Sequence, residues 1–330
     1  FGAFQASGID FRIGVITTYA YNTDGSVNRK TNDRGHSTTY SNYHRGVPKT
    51  ENRPESVVVS RIVDNFGNVT QETIGGRTWI YGYDNLNRLT SINYPLGAST
   101  TISWTDVRKY LARGSYSEEE NFDGYGRLER RSRDGIVRTF RYDALGRKTF
   151  ASFPSPTTGI SGSLDDLGRV TSQTSAHGGR SYSYTATSTR VTNERNFQTT
   201  FAYDRYGDPD EGYVTNIESA AAASVDVTRG GLGNITAATQ GGVTRTYGYN
   251  ANRFLTSISE PETGTTTFGR DAVGNMTSRI IGGRTTSYAY DGLDRVTSIN
   301  YPGAADAVSF QYNVRSQVTR VAGDAATRNY

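Results

Sequence analysis

Residues 74–95 read IGGRTWIYGYDNLNRLTSINYP, and residues 281–302 read IGGRTTSYAYDGLDRVTSINYP. The second copy starts 207 residues after the first. Either two domains are duplicated, or both copies sample a much shorter repeat. A search for internal periodicity decides between them. Both copies contain Tyr-Asp-x-x followed by Gly, Asn or Asp and then Arg or Asn. The same anchor recurs as YDNLNRLT at 83–90, YDALGRKT at 142–149 and YDGLDRVT at 290–297, with close relatives FDGYGRLE at 122–129 and YDRYGDPD at 203–210. Degenerate forms are VDNFGNVT at 63–70, LDDLGRVT at 164–171 and RDAVGNMT at 270–277. Weaker ones begin at Tyr21, Tyr43, Trp104, Tyr184, Arg229, Tyr249 and Tyr312. Successive anchors lie about 20 residues apart, and 207 residues make ten such steps. The distant echo is a short repeat sampled twice, and no domain duplication is needed.

Within a unit, aromatic residues precede the anchor two positions apart, as in Tyr81/Tyr83, Phe140/Tyr142, Tyr247/Tyr249 and Phe310/Tyr312. That spacing puts both rings on one face of a strand. A second β-prone run follows the anchor, for example RLTSINY at 88–94. Between the two lies a turn. Its Asp can accept backbone N–H groups from the residues that follow, and the fourth position then needs positive φ, as in a type I turn with a bulge. Gly146 and Gly207 supply that position, and Asn87 and Asp294 replace Gly with types that tolerate it. Arg253 and Ser316 do not fit the rule, so their turns are expected to differ.

The expected fold is therefore all-β: tandem hairpins of about 20 residues, roughly fifteen units, paired sideways into one long coiled sheet. Two strands alone cannot bury their aromatic face. Successive hairpins must pack against each other, with the rings of Tyr83, Tyr142, Tyr203, Tyr249, Tyr290 and Tyr312 stacking from unit to unit as a ladder. Asp84, Asp143, Asp204 and Asp291 are expected to hold the turns. A sheet this long twists, so it should wrap into a spiral or tube. The array is expected to be a single domain over 1–330, with 1–15 as a lead-in. The one helix candidate is EEEN at 118–121, too short to matter.

Composition agrees with strands. Tyr occurs 23 times, Gly 37 and Phe 13, against one Met and no Cys. Aromatics at 12% make up about a third of the 34% apolar residues, which points to an aromatic and β-branched core. The lack of Cys excludes disulfides, thiolate metal sites and a Cys nucleophile. A net charge of +4 from 36 basic and 32 acidic residues describes a mixed surface, so no nucleic-acid partner is expected. No apolar run approaches the roughly 18 residues of a membrane span. No basic segment and apolar core mark a signal peptide within 1–15.

YDALGRKT and YDGLDRVTSINYP, recurring every 20 residues or so from about residue 15 to 330, resemble the YD repeats of the RHS family. That family includes bacterial polymorphic toxins, shell-forming subunits of insecticidal toxin complexes and the animal teneurins. The resemblance implies a coiled sheet closing into a hollow shell, which in bacterial members encloses a C-terminal toxin. It also implies a secreted or bacterial cell-surface location. The implied partners are the rest of its own shell, an enclosed toxin or effector segment, and secretion-system or toxin-complex subunits. Toxin members end the array with an Asp-Pro and Gly-rich core segment that cleaves the toxin free, and they use more repeats than fifteen. Neither feature is found here, so the chain is expected to be a fragment with a scaffold role.

Candidate chemistry is sparse. GDPDEG at 207–212 suggests an Asp-Pro cleavage site, but Asp208 occupies the Arg position of the repeat and a Pro-ended strand is the expected reading. GGLGNIT at 230–236 looks like half of a calcium-binding repeat or a phosphate loop, yet it precedes no helix and aligns with a repeat turn. His36, His44 and His177 lack partners at metal spacing and are expected at the surface. Of the carboxylate groups, Asp165 is the repeat Asp, and Glu118–Glu120 are expected on a solvated edge. Asn68, Asn234 and Asn275 form glycosylation sequons only because the repeat reads G-N-x-T. No catalytic residue, metal or cofactor is expected. Two readings stay open: a non-catalytic section of an exported shell, and an adhesion module whose exposed aromatic face binds surface glycans.

Overall fold

The structure, a computed structural model, describes residues 7–12, 15–155, 157–204, 212–220, 222–303, 307–323 and 326–330. Among them are 32 strands and no helix. Strands run from four to eight residues, the length at which an alternating segment fills one side of a repeat before its turn. Consecutive strands pair antiparallel, as in Gly159–Leu164 with Val170–Ser175 and Gly264–Arg270 with Met276–Ile281. The chain forms two compact units, one made of 1–82 with 245–330 and the other of 83–244.

Two kinds of turn alternate. On one edge of the sheet lie the Asp turns, in which the Asp N–H bonds to the carbonyl four residues on, and the fourth residue bonds back to the Asp carbonyl. For Asp84 these distances are 3.0 and 2.9 Å. A register shift at the anchor residue marks the bulge, for example between Arg141 and Tyr142 and between Ala289 and Tyr290. The turn type expected from sequence is thus found. Asn87 and Asp294 take φ of 59° and 60°, and Gly146 takes 80°. Arg253 and Ser316 depart from expectation: they adopt φ of 64° and 61° and close the same backbone bonds, so two ill-suited residues are forced into the shared geometry. Pairing on both sides of the turn over-determines it. The weak units at Trp104 and Tyr184 do differ, with shorter closures from Thr105 to Arg108 and Thr185 to Ser188.

The opposite edge includes tight two-residue turns with both φ positive, such as Gly75-Gly76, Asp134-Gly135 and Gly282-Gly283. The three-residue loop Pro54-Glu55-Ser56 closes without glycine, with Glu55 and Ser56 at φ of 59° and 57°. Ser56 is exposed, so Ser56→Gly relieves backbone strain without removing packing. It is expected to stabilise the chain by about 1 kcal/mol, read as a rise in urea midpoint.

The core is thin. Val57 and Val59 are buried in the first unit, and Ile102, Phe140 and Phe150 in the second. These are the aromatic and β-branched types that composition foretold. EEEN is corrected: Tyr116–Phe122 is a strand in mid-sheet, not a helix or a solvated edge. Glu120 is buried there because Lys109 and Arg131 from the two flanking strands neutralise it.

Candidate functional site

The repeated residues build one arrangement many times, starting from the Asp. Asp143 accepts the N–H groups of Leu145 at 3.0 Å and Arg147 at 2.9 Å through Oδ1, and Arg147 Nε at 2.7 Å through Oδ2. Asp84 and Asp291 hold the equivalent sets with Leu86 and Arg88, and with Leu293 and Arg295. Asp204 ends the strand Gln198–Asp204, and the rest of its turn, with Gly207 and Asp208, lies outside the described residues. In the G-N-x-T units Asn takes Arg's place: Asn68 and Asn275 donate to Asp64 and Asp271. GGLG at 230–233 makes the same turn, closed by Gly233 N–H on the Gly230 carbonyl at 2.9 Å.

These bonds favour the ionised carboxylate. The backbone N–H of the following Arg, then its guanidinium, hold Asp84, Asp123 and Asp143 below the usual carboxylate range. A lowered folded pKa means the unfolded chain binds protons first as pH falls. The contribution is complete above the unfolded value near 3.9 and is lost as pH drops through the folded values. Thermal melts should therefore show a steady midpoint from pH 7 to about 5, then a cooperative loss below about pH 4 as many turns titrate together.

The ladder residues end the strand before each turn. The hydroxyls of Tyr142, Tyr290 and Tyr312 donate to the carbonyls of Leu128, Met276 and Val296 at 2.8, 2.9 and 2.7 Å. Each acceptor opens the second strand of the preceding hairpin. Tyr43 and Tyr184 do the same to Val27 and Val170. Where the anchor is not Tyr, another donor reaches the equivalent carbonyl: Trp104 that of Leu89, Arg229 that of Val214, Arg270 that of Leu255. Tyr83 and Tyr249 are half-buried at matching strand ends, and Tyr203 is half-buried one residue before the end of its strand.

At Tyr142, Tyr184, Tyr312 and Trp104 the neighbour over the ring is not another ring. A guanidinium lies over the ring instead: Arg127 at 4.8 Å from the Tyr142 centroid, Arg169 at 4.5 Å from Tyr184, Arg295 at 4.6 Å from Tyr312 and Arg88 at 5.7 Å from Trp104. Each Arg belongs to the unit before its ring. Hairpins advance by two strands, about 10 Å, too far for successive rings to touch face to face, and the long Arg side chain spans that gap. The same Arg also donates onward, Arg147 to the Asp165 carbonyl at 2.6 Å and Arg295 to that of Asn313 at 3.1 Å. Sequence analysis gave this Arg no part in joining hairpins. Its fixed place four residues after the Asp was the available signal.

Within the unit formed by 1–82 and 245–330, early and late hairpins meet. Arg34 donates to the carbonyls of Tyr290 and Asp291 and pairs with Asp271 and Asp294. Glu55 accepts the Gly292 N–H at 2.9 Å, and Arg315 donates to the Gly75 carbonyl at 3.1 Å. A Cβ on Gly75 would collide with Val314. A cavity of about 340 Å³ between these hairpins is lined by Val57, Ile74, Trp79, Leu293 and Val314, with Arg53 and Arg315 at its margin. The late turn at 291–294 thus meets the early turns at 32–35 and 54–56, and the late turn at 313–316 meets that at 75–76.

None of these groups forms a nucleophile with a base, and among the described residues no cluster of His, Asp or Glu could hold a metal. No helix among the described residues is long and apolar enough to cross a membrane.

Residues 64–99 match the RHS repeat family model, and no curated protein sequence matches the chain. Among solved structures, the chain is similar to the Photorhabdus luminescens Tc holotoxin pore with a TccC3 variant. The TM-score is 0.64 at 14% identity, over 94% of this chain and 20% of that one. It is also similar to TcdB2-TccC3-TEV, with TM-score 0.58 at 13% identity over 96% and 22%. A third match is TcdB2-TccC3 without its hypervariable C-terminal region, with TM-score 0.51 at 9% identity over 94% and 22%. The chain spans about a fifth of the length of these structures. Residues 64–99 thus carry an RHS repeat, and the hairpin array that continues on both sides of them shares its all-β fold with these toxin-complex structures.

Proposed function

We propose that residues 1–330 are one RHS-repeat array of about fifteen units, a non-catalytic section of an exported shell that encloses or displays a toxin or effector. The observation that carries this reading is the fold likeness over 94% of the chain to a Tc holotoxin. The residue pattern supports it, because in most described units the Asp, Arg and Tyr are spent on turns and on the neighbouring hairpins. In this reading Tyr83, Tyr142, Tyr203, Tyr249, Tyr290 and Tyr312 form the ladder, and Asp84, Asn87, Asp143, Gly146, Asp204, Gly207, Asp291 and Asp294 shape the turns. The glycan-binding alternative needs open rings, and guanidinium groups cover several anchors. Partners are the rest of the shell, its cargo and toxin-complex subunits. The test is limited proteolysis of the whole reading frame that contains this array, with the polypeptide downstream of it followed by mass spectrometry. Encapsulation predicts that the downstream segment survives until the shell is opened by denaturant. Cleavage as fast as in the isolated segment would refute it.

A further inference from the structure

The repeat usually balances its turn charge locally. At Asp143, Asp165 and Asp291 the Arg four residues on pairs with the turn carboxylate. The turn at 313–316 reads Asn-Val-Arg-Ser instead. Asn313 caps it through the same backbone bonds, accepting the N–H groups of Arg315 at 2.9 Å and Gln317 at 3.1 Å, but it brings no negative charge. Arg315 stands at the third position of the turn, which Leu86, Leu145, Leu167 and Leu293 fill in other units. An apolar tip is thus exchanged for a cation in a turn that lacks its anion.

That cation lines the seam cavity. Arg315 is half-buried, and it donates through Nη1 to the Gly75 carbonyl at 3.1 Å and through Nε to Gln317 Oε1 at 3.3 Å. Among the described residues no carboxylate pairs with it. Arg53, the other guanidinium at the cavity, is matched by Glu51 at 2.6 Å. The remaining walls are mainly Val57, Ile74, Trp79, Leu293 and Val314. A guanidinium has five N–H donors, and apolar walls cannot serve those left over. The volume of about 340 Å³ falls in the range of small-molecule sites, which join mostly apolar walls to a few placed polar groups.

We propose that this cavity binds a small apolar carboxylate, an aryl or short-chain alkyl acid, with its carboxylate on the Arg315 guanidinium and its body against Ile74, Trp79 and Leu293. One unmatched positive charge suits a monoanion, and a guanidinium can take a carboxylate through two parallel hydrogen bonds. Val57, Ile74 and Trp79 come from early hairpins, and Leu293 and Val314 from late ones of the same unit. A ligand held by both therefore binds only the closed seam and stabilises it by mass action. The site needs neither cargo nor another chain, so it stands apart from the function proposed above.

Calorimetric titration with 4-phenylbutyrate tests it, with 4-phenylbutan-1-ol as the uncharged match. The acid should bind saturably at one site per chain, and the alcohol at least about tenfold more weakly. Arg315→Gln should weaken the acid by about tenfold or more and leave the alcohol unchanged. Leu293→Trp fills the cavity while keeping Arg315, and should abolish binding of both. Amide exchange should slow on binding in Val57–Val63 and in residues 313–316 together. Thermal melts report whether each variant is folded, and the comparison of acid with alcohol needs only the wild type. No saturable binding of the acid overturns the proposal. So do equal affinities for acid and alcohol, or a folded Arg315→Gln variant that binds the acid as tightly as the wild type.

Discussion

Tyr142→Ala is expected to destabilise the array by about 3 kcal/mol. Three losses combine. The half-buried ring leaves a void, the Leu128 carbonyl loses its hydroxyl donor, and the Arg127 guanidinium loses the face it covers. Tyr142→Phe keeps the ring and the cation contact and removes only the hydroxyl bond, so it should cost about 1 kcal/mol. The effect should be local at first. In a repeat array each unit is stabilised by its neighbours, so amide exchange should quicken first in Leu128–Arg133 and Ile136–Tyr142. Urea titrations and hydrogen exchange read the two effects separately. An unchanged midpoint for Tyr142→Ala would remove the anchor from any part in joining hairpins.

Arg61→Ala is expected to cost about 3 kcal/mol as well, for a different reason. Glu51 is 8% exposed and bonds Arg61 at 2.8 Å and Arg53 at 2.6 Å, and Arg61 also holds Glu72. Burial alone would raise the Glu51 carboxyl, but the two guanidinium groups outweigh it and hold it below the usual range. Removing Arg61 strands a buried carboxylate beside the packed Val59 strand, and breaking a buried pair on one side costs far more than the pair is worth. The effect sits at the low end of that class because Arg53 still reaches Glu51. The sign at low pH differs from wild type: the variant should recover part of its loss as Glu51 protonates. Urea midpoints of both proteins at pH 7 and pH 4 measure that.

The turns were legible in the sequence because one stereochemical demand recurs in nearly every unit. Asp followed by a positive-φ residue leaves few alternatives, and Asn87 and Asp294 obey it as well as Gly146 does. Arg253 and Ser316 were misread because intrinsic preference was weighed without the pairing that imposes the turn on them. The ladder was half legible. Period-two aromatics place a ring at each anchor, but they do not say what covers it, and hairpin spacing gives that place to Arg. The Glu118–Glu120 run was misread because charge suggests a solvated edge, whereas cross-strand Lys109, Arg131 and Arg133 hold it in a mid-sheet ion network with Glu120 buried. The seam was not legible at all. Arg34 and Asp294 are joined by folding alone, and no local pattern announces which hairpins will meet.

That seam gives the most direct test of a repeat array folded so that early and late hairpins of one unit touch. The chain has no Cys, so Asp33→Cys with Asp294→Cys introduces a unique thiol pair. Asp33 is exposed beside Arg34, and Arg34 keeps its bonds to Asp271 and the Tyr290 and Asp291 carbonyls when Asp294 is replaced. A short bismaleimide should close a loop through most of the chain, seen as a faster-migrating monomer band that disappears when the protein is unfolded before treatment. If the double variant remains folded and yields no intramolecular product, while a control pair within one hairpin does, the account of the fold is contradicted.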